Sequence, residues 1–495
     1  MNPDNIKRKG SPVKRENIGK PGAKAGLFSA DTRRIHLEAG DKVQPKSWRH
    51  IGSPFRAKEK EVTKKSGKLF RAAAVPVAAV LALFFLFGLF SASAEAKVLK
   101  INEAIYMAVG RGPTNSNTFL VVTNQGNVII DTSGPGQAAD HHQELKAVNA
   151  GPVKYIILTH GHGDHRGGVG LWREKGTQII AQKNYSEFLH YQKRLAGYFQ
   201  RMGAAQFSGQ VVSRTAPSFG NYAADIDATI LFDETYEFSL GGIDFKLLHT
   251  PGETYDHTTV FIPRYQAVFC GDNFYEAFPN LYTLRGTKPR WALDWAESVD
   301  KALKLNPEIL LPSHGGPING RETIAAKLTA YRDAILYVHD ETVRGMNEGK
   351  DVYTLMREIH LPAGVNVPEG YGEVAWSVRG IYDGYVGWFD GNPATMYAVP
   401  PRAVYPDLVE LAGGPDRVAA RAVALIEKGE PVRGLHLTDV ALAADSGNRA
   451  ALEARLKALR MLLLQVRSGP AKNIIEAGWL TYGIRAAEKR LETGR

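Results

Sequence analysis

The chain has a single cysteine, Cys270. No disulfide can form within it, and a lone thiol at the end of the apolar run Ala267-Val268-Phe269-Cys270 reads as a small buried side chain and not as a ligand. Methionine is absent between Met1 and Met107, so a shorter protein beginning after the N-terminal region would need another start codon. Net charge is almost absent from most of the sequence. Residues 1–71 hold 19 Lys/Arg and 7 Asp/Glu, whereas the remainder holds 42 and 44. The formal charge of +10 therefore belongs to a tail, and a nucleic-acid enzyme is not indicated. That tail is rich in Lys, Gly, Ser and Pro, lacks a sustained apolar period and is expected to be disordered. Internal repeats are absent.

One long uncharged stretch stands out, the 23 residues from Ala72 to Ala94. Lys64, Lys65 and Lys68 precede it, Val77 to Phe90 form its apolar core, and Ser91-Ala92-Ser93-Ala94 follows. A positive region, an apolar core and a small-residue end describe a secretory signal. The upstream tail is longer than an ordinary positive region, and the stretch is long enough to span a bilayer. Residues 72–96 thus read as a signal peptide or a membrane anchor. Either places the body from about 97 outside the cytoplasm, as a periplasmic, secreted or anchored protein, with an uncleaved tail inside.

The body carries its chemistry at Thr159-His160-Gly161-His162-Gly163-Asp164-His165. Four potential metal ligands fall within six residues, directly after the strand-like run Tyr155-Ile156-Ile157-Leu158. A strand ending in such a loop aims several side chains at one point. Imidazole with carboxylate suits Zn²⁺, Mn²⁺ or Fe²⁺ better than Ca²⁺ or Mg²⁺, and alternate side chains can serve two metals. A His-rich solvent loop is the plain alternative, but perturbed clusters of this density rarely arise by composition alone.

This loop resembles the HxHxDH signature of the metallo-β-lactamase superfamily. The resemblance implies an α/β fold, a four-layer αββα sandwich, with a dinuclear site at one edge and further ligands at later strand ends. Glu253 follows the turn Pro251-Gly252, Asp272 ends the run Ala267 to Gly271, and His314 follows Ile309-Leu310-Leu311-Pro312. A His stands at the position of Glu253 in most of the superfamily, and His257 competes with it. The 19-residue interval from Glu253 to Asp272 matches the superfamily pattern and favours Glu253. Asp131 ends the strand Asn127 to Ile130 and is implied to support the metal loop without touching the metals.

Two longer segments narrow the resemblance. Asn280-Leu281-Tyr282-Thr283-Leu284-Arg285-Gly286 and Val378-Arg379-Gly380-Ile381-Tyr382-Asp383-Gly384-Tyr385-Val386-Gly387-Trp388-Phe389-Asp390-Gly391-Asn392-Pro393 are similar to hallmarks of the metal-dependent alkylsulfatases. Over roughly 100 to 495, the resemblance implies a dizinc hydrolase of sulfate esters, alkyl sulfates above all, and a homodimer. His160, His162 and Glu253 would bind one Zn²⁺; Asp164, His165 and His314 the other; Asp272 would bridge, with a hydroxide between the metals as nucleophile. Arg285 and Arg290 would hold the sulfate, since a guanidinium fork gives an oxyanion paired charge-assisted hydrogen bonds. Asn280 and Tyr282 are candidate neutral donors in the same loop, Tyr282 equally a packing residue. Trp376 stands where the family has a His proposed as proton donor, and indole is no acid at neutral pH. That favours C–O cleavage, which expels sulfate without protonation, or makes Trp376 part of an apolar slot. Apolar residues between the two regions would receive the alkyl chain. Larger members add a C-terminal lipid-carrier-like domain, which this sequence stops before.

Helical patterns complete the reading. Residues 290–305 predict an amphipathic helix with Ala292, Trp295, Ala296, Val299, Ala302 and Leu303 on one stripe. Beyond about 330 strand signals fade, and 417–427, 450–466 and 474–491 read as helices. The expected organisation is a catalytic domain over 97–330 and a helical dimerisation domain over 331–495. Two rivals remain at this stage: another hydrolase of the superfamily (lactonase, β-lactamase, thioesterase or phosphodiesterase), and a non-hydrolytic metal-binding surface protein.

Overall fold

The computed structural model describes residues 98–208 and 226–494. The tail at 1–71 and the apolar segment at 72–96 lie outside the described residues. Among those described, no helix is long and apolar enough to cross a membrane.

Two sheets follow from runs of β-branched and aromatic residues. The first contains β1 (Val98–Lys100), β2 (Ile105–Ala108), β3 (Thr118–Thr123), β4 (Gly126–Ile130), β5 (Val153–Ile157), β6 (Gln178–Gln182) and β7 (Ile230–Phe232) in sequential order. Its first four strands are antiparallel and β4 to β7 run parallel. The parallel part needs crossovers, supplied by α1 (Ala138–Val148), the short α2 (Gly163–Arg166) and α3 (Val169–Trp172), then α4 (Tyr185–Arg194) and α5 (Ala196–Gln206). The second sheet runs β13-β12-β11-β10-β9-β8, built from β8 (Thr235–Leu240), β9 (Ile243–His249), β10 (Thr258–Ile262), β11 (Ala267–Gly271), β12 (Ile309–Pro312) and β13 (Ile318–Asn319).

Alternation along the strands builds four layers. Phe119 and Val121 of β3 face Phe245, Leu247 and Phe269 of the other sheet, and the rings of Phe119 and Phe269 meet edge-on at 5.0 Å. Leu120, one residue out of step, turns instead to Trp172 and Phe188 on the helical side. Likewise Phe269 faces the inner core while Val268 and Cys270 face α6 (Ala292–Lys304) and α7 (Arg321–Asn347). Strands covered on both faces are buried along their whole length, as β4, β10 and β11 are. Cys270 is buried, as expected.

The stripe predicted for 290–305 is buried, but α6 begins only at Ala292, after the extended Trp291. The 27-residue α7 runs through 330, where the sequence suggested a division. The helical region then follows: α8 (Val352–Glu358), α9 (Val374–Val386), α10 (Tyr405–Leu411), α11 (Pro415–Glu427), α12 (Pro431–Ala444), α13 (Arg449–Ser468) and α14 (Ile474–Thr493). Helices α7 to α9 complete the core beneath the second sheet. Small cores join α10 to α14, with Leu459 and Leu463 of α13 packed on Ile484 of α14.

Candidate active site

The site lies where several strands end together. Asp131 follows β4 in a left-handed conformation, at φ 53°. Its Oδ1 accepts the Thr159 N–H at 2.9 Å and its Oδ2 lies 2.8 Å from His165 Nδ1. The Ser313 hydroxyl, from the loop after β12, donates to the same carboxylate at 2.9 Å. One buried carboxylate thus ties the His/Asp loop to the His314 loop and turns His165 Nε2 toward the site, the supporting role expected of it.

Two groups of ligand atoms result, His160 with His162 and Asp272, and Asp164 with His165 and His314, each within 4.8 Å. Asp272 joins them. Its Oδ2 lies 3.9 Å from His160 Nε2 and 3.3 Å from His165 Nε2, and its Oδ1 lies 3.5 Å from His314 Nε2. Glu253 approaches from the other side, with Oε1 3.8 Å from His162 Nδ1.

The electrostatics suit cations. Burial opposes charge on His165, but the carboxylates of Asp272, Asp164 and Asp131 outweigh it and raise its pKa well above the ordinary value. His314, against the same burial, is pushed up to about 10 by Asp272 and Asp164. His160 and His162 are held well below the ordinary value by burial, reinforced by His165 and by Arg285 respectively. Burial pushes Glu253 up to about 7 against the pull of Arg290. His165 Nε2 and Asp272 Oδ1 are buried without a hydrogen-bond partner. Neutral imidazoles beside clustered carboxylates, with buried atoms left unpaired, fit a pair of divalent ions that would displace the remaining protons.

His257 occupies a different place from Glu253. Its Nε2 accepts the Asp272 N–H at 3.1 Å and its Nδ1 meets the Thr250 hydroxyl at 3.1 Å. It sets the backbone of Asp272, and both ring nitrogens are engaged. A Cβ at Gly271 would lie 2.3 Å from His257 Nε2, and φ there is +55°, so the Gly-Asp step cannot carry a side chain before Asp272.

A cavity of about 480 Å³ opens onto these groups. His162, Asp164, Glu253, Asp272, Arg285 and His314 form its polar end, and Phe199, Phe207, Tyr275, Tyr371 and Ile474 its less polar walls. Arg285 faces it, with Nη2 3.3 Å from His162 Nε2 and Nη1 donating to Thr283 Oγ1 at 3.2 Å. The second arginine does not share that place. Arg290 Nη1 donates to Glu253 Oε2 at 2.5 Å and to the Asn280 carbonyl at 2.7 Å, and the side chain is 2% exposed. It lies outside the lining of the main cavity because it belongs to the loop before α6, which turns it behind Glu253. Both arginines are expected at the sulfate; in the structure Arg285 faces the cavity and Arg290 is paired with Glu253. Asn280 is fully buried, with its N–H donating to the Tyr275 hydroxyl at 2.7 Å. Tyr282 packs beneath Gly380, where a Cβ would come within 2.8 Å of its own Cβ. Trp376, on α9, is also outside the lining; Tyr371 and Tyr275 stand in the cavity wall instead.

Three supporting residues escaped the sequence reading. Asp256 accepts the Gly161 N–H at 2.8 Å, between His160 and His162. Asn117 donates to the carbonyls of Pro312 and Gly315 at 2.8 and 3.0 Å, on either side of His314. Gln206 accepts the Arg285 N–H at 2.8 Å. Each is an ordinary polar residue whose partner is distant in sequence, so spacing carries no signal for it.

Comparison with known proteins agrees with this geometry. Residues 111–314 match the metallo-beta-lactamase superfamily and residues 355–481 match the alkyl sulfatase dimerisation family. A linear primary-alkylsulfatase of Pseudomonas is 29% identical over 75% of this chain and 74% of its own length. An alkyl/aryl-sulfatase of Saccharomyces cerevisiae is 28% identical over 80% of this chain, and an (R)-specific secondary-alkylsulfatase of Pseudomonas is 25% identical over the same share. The chain spans less than two thirds of the length of these last two, 65% and 64%. The fold matches that of a stereoselective inverting sec-alkylsulfatase of Pseudomonas with a TM-score of 0.71, at 22% identity over 79% of this chain and 66% of the other. The chain thus carries a metallo-β-lactamase domain over residues 111–314, followed by an alkyl sulfatase dimerisation domain over residues 355–481.

Proposed function

We propose that the protein hydrolyses sulfate esters, alkyl sulfates above all, with two zinc ions per chain. The observation that carries this reading is a single cavity with two His/Asp groups joined by Asp272 at one end, Arg285 beside them and an apolar wall of Phe199, Phe207 and Ile474. An uncharged lactam or lactone has no use for a guanidinium so placed, whereas a sulfate monoester offers it three oxygens.

His160, His162 and Glu253 would hold one ion and Asp164, His165 and His314 the other, with Asp272 between. Zinc bound there supplies Lewis acidity and lowers the pKa of a water to roughly 7. The chain's own residues do the rest. Arg285 binds and orients the sulfate, and it stabilises charge gathering on that group as the ester breaks. Phe199, Phe207 and Ile474 take the apolar tail and exclude water along it. Trp376 is outside the cavity, and burial raises the pKa of the Tyr371 hydroxyl in its wall. A strong acid for an alkoxide leaving group is therefore missing from the described wall. We propose cleavage of the C–O bond, in which water forms a bond to carbon and gives up one proton to solvent while the C–O bond breaks and sulfate leaves with its electron pair.

Homodimerisation through the helical region belongs to the same proposal. So does a position outside the cytoplasm, directed by the segment at 72–96. The test is a panel of alkyl and aryl sulfates, alongside a lactone and a β-lactam, assayed with zinc-loaded protein in H₂¹⁸O. Activity confined to sulfate esters, close to two zinc ions per chain and label in the alcohol are expected. Turnover of only the uncharged substrates would transfer the protein to the rival hydrolase reading.

A further inference from the structure

The Arg285 loop is anchored from outside itself. Gln206, the last residue of α5, is fully buried. Its Oε1 accepts the Arg285 N–H at 2.8 Å and the Thr283 hydroxyl at 3.2 Å. The Thr283 oxygen in turn accepts from Arg285 Nη1 at 3.2 Å. One amide oxygen therefore fixes both the main chain of Arg285 and, through Thr283, the direction of its guanidinium. The same turn of α5 carries a second contact. A Cβ on Gly478 of α14 would lie 1.8 Å from the Gln206 carbonyl oxygen, so α14 seats directly on the end of α5. Both helices also reach the cavity, α5 through Phe199 and Gly203 and α14 through Ile474.

We infer that Gln206 is a positioning residue for the anion-reading Arg285, and that the seating of α14 on α5 at Gly478 sets its position. The inference rests on the proposal that Arg285 binds sulfate. A loop held only by its own turn, Gly286 N–H to the Thr283 carbonyl at 2.9 Å, would leave a long side chain free to rotate, and each free rotation costs binding energy. The Gln206 oxygen removes that freedom before substrate arrives. Its Nε2 is buried without a partner, so only the oxygen makes hydrogen bonds. A purely structural Gln206 would instead satisfy the loop's polar groups without affecting the anion.

The test uses the full, zinc-loaded chain and inorganic sulfate as the probe, with its Kd from calorimetry read beside KM, kcat, zinc content and Tm. Gln206→Leu is expected to weaken sulfate binding and raise KM by about tenfold, with zinc content unchanged. Gln206→Asn keeps the amide but withdraws the oxygen by one methylene, and is expected to show the same loss should the leucine variant fail to fold. Gly478→Ala should weaken sulfate binding in the same direction, because α5 must shift to admit the methyl. An unchanged sulfate Kd in Gln206→Leu and Gln206→Asn, whatever happens to Tm, overturns the positioning role. An unchanged Kd in Gly478→Ala overturns the link to α14. If the parent does not bind sulfate, or Arg285→Ala binds it equally well, the sulfate reading itself fails, and that is distinguishable from failure at Gln206 alone.

Discussion

Replacing Arg290 by methionine separates two readings of the site. The family resemblance implies that Arg290 is a partner of the sulfate. In the structure it is a partner of Glu253, at 2.5 Å, with side-chain exposures of 2% and 3%. Removing one member of a buried ion pair leaves the other uncompensated and costs roughly 3–5 kcal/mol. At about 2–4 °C per kcal/mol for a domain of this size, Arg290→Met is expected to lower Tm by about 10 °C. Zinc content should fall with it, because Glu253 loses the group that orients it. KM for a sulfate ester should change little in the fraction that stays loaded. The double variant Arg290→Met with Glu253→Gln removes both charges and should recover most of the lost Tm, since neutralising a buried pair together is far less costly than halving it. Differential scanning calorimetry, metal analysis and steady-state kinetics read the three quantities. A tenfold or greater rise in KM, with Tm and zinc unchanged, would refute the reasoning and return Arg290 to the substrate.

Three further outcomes are expected from the same structure. Glu253→Gln should lose zinc from one position of each chain, whereas His257→Gln should retain both ions and lose activity through a displaced Asp272; metal analysis decides, and zinc lost only from the histidine variant reverses the assignment. Glu373 is pushed up to about 7 by burial, with Glu476 and Glu369 adding to it. Its folded pKa lies above the unfolded value, so its contribution to stability is complete below about pH 4.5 and is lost as pH rises through 7. Glu373→Gln, which does not titrate, should therefore gain stability relative to the parent between pH 5 and pH 8, by about 1 kcal/mol after allowance for partial exposure, in urea titrations at both pH values. Trp388 and Leu411 of the helical region are 76% and 85% exposed. Buried in a two-fold interface each would contribute about 2 kcal/mol twice over, so Trp388→Glu with Leu411→Glu should give a monomer by light scattering at micromolar concentration.

What the sequence disclosed follows from how local each signal is. The His160 to His165 loop was legible because its ligands are close in sequence and follow an apolar strand. Asp272 and His314 were legible as strand-end residues, and the helix over Ala292 to Lys304 by its stripe. The direction of Arg290 was not legible. It depends on whether that residue starts the helix or ends the loop before it, a two-residue difference that periodicity does not resolve. Gln206, Asp256 and Asn117 were invisible for another reason. Their partners lie 79, 95 and 195 residues away, and single polar residues carry no pattern. The division at 330 fell inside α7 because Leu328 before that point and Tyr331 after it are buried in the same core.

The central claim is that a metal-dependent site reads a sulfate through Arg285. The most direct test is hydrolysis of dodecyl sulfate by the zinc-loaded parent and by Arg285→Ala. Charge-assisted hydrogen bonds contribute about 1.5–3 kcal/mol each, so loss of a paired contact should lower kcat/KM by at least about a hundredfold. Zinc content should stay at the parent value, and Arg285→Lys should recover only part of the activity because it keeps the charge and loses the fork. Equal hydrolysis of dodecyl sulfate by Arg285→Ala and the parent would contradict the claim.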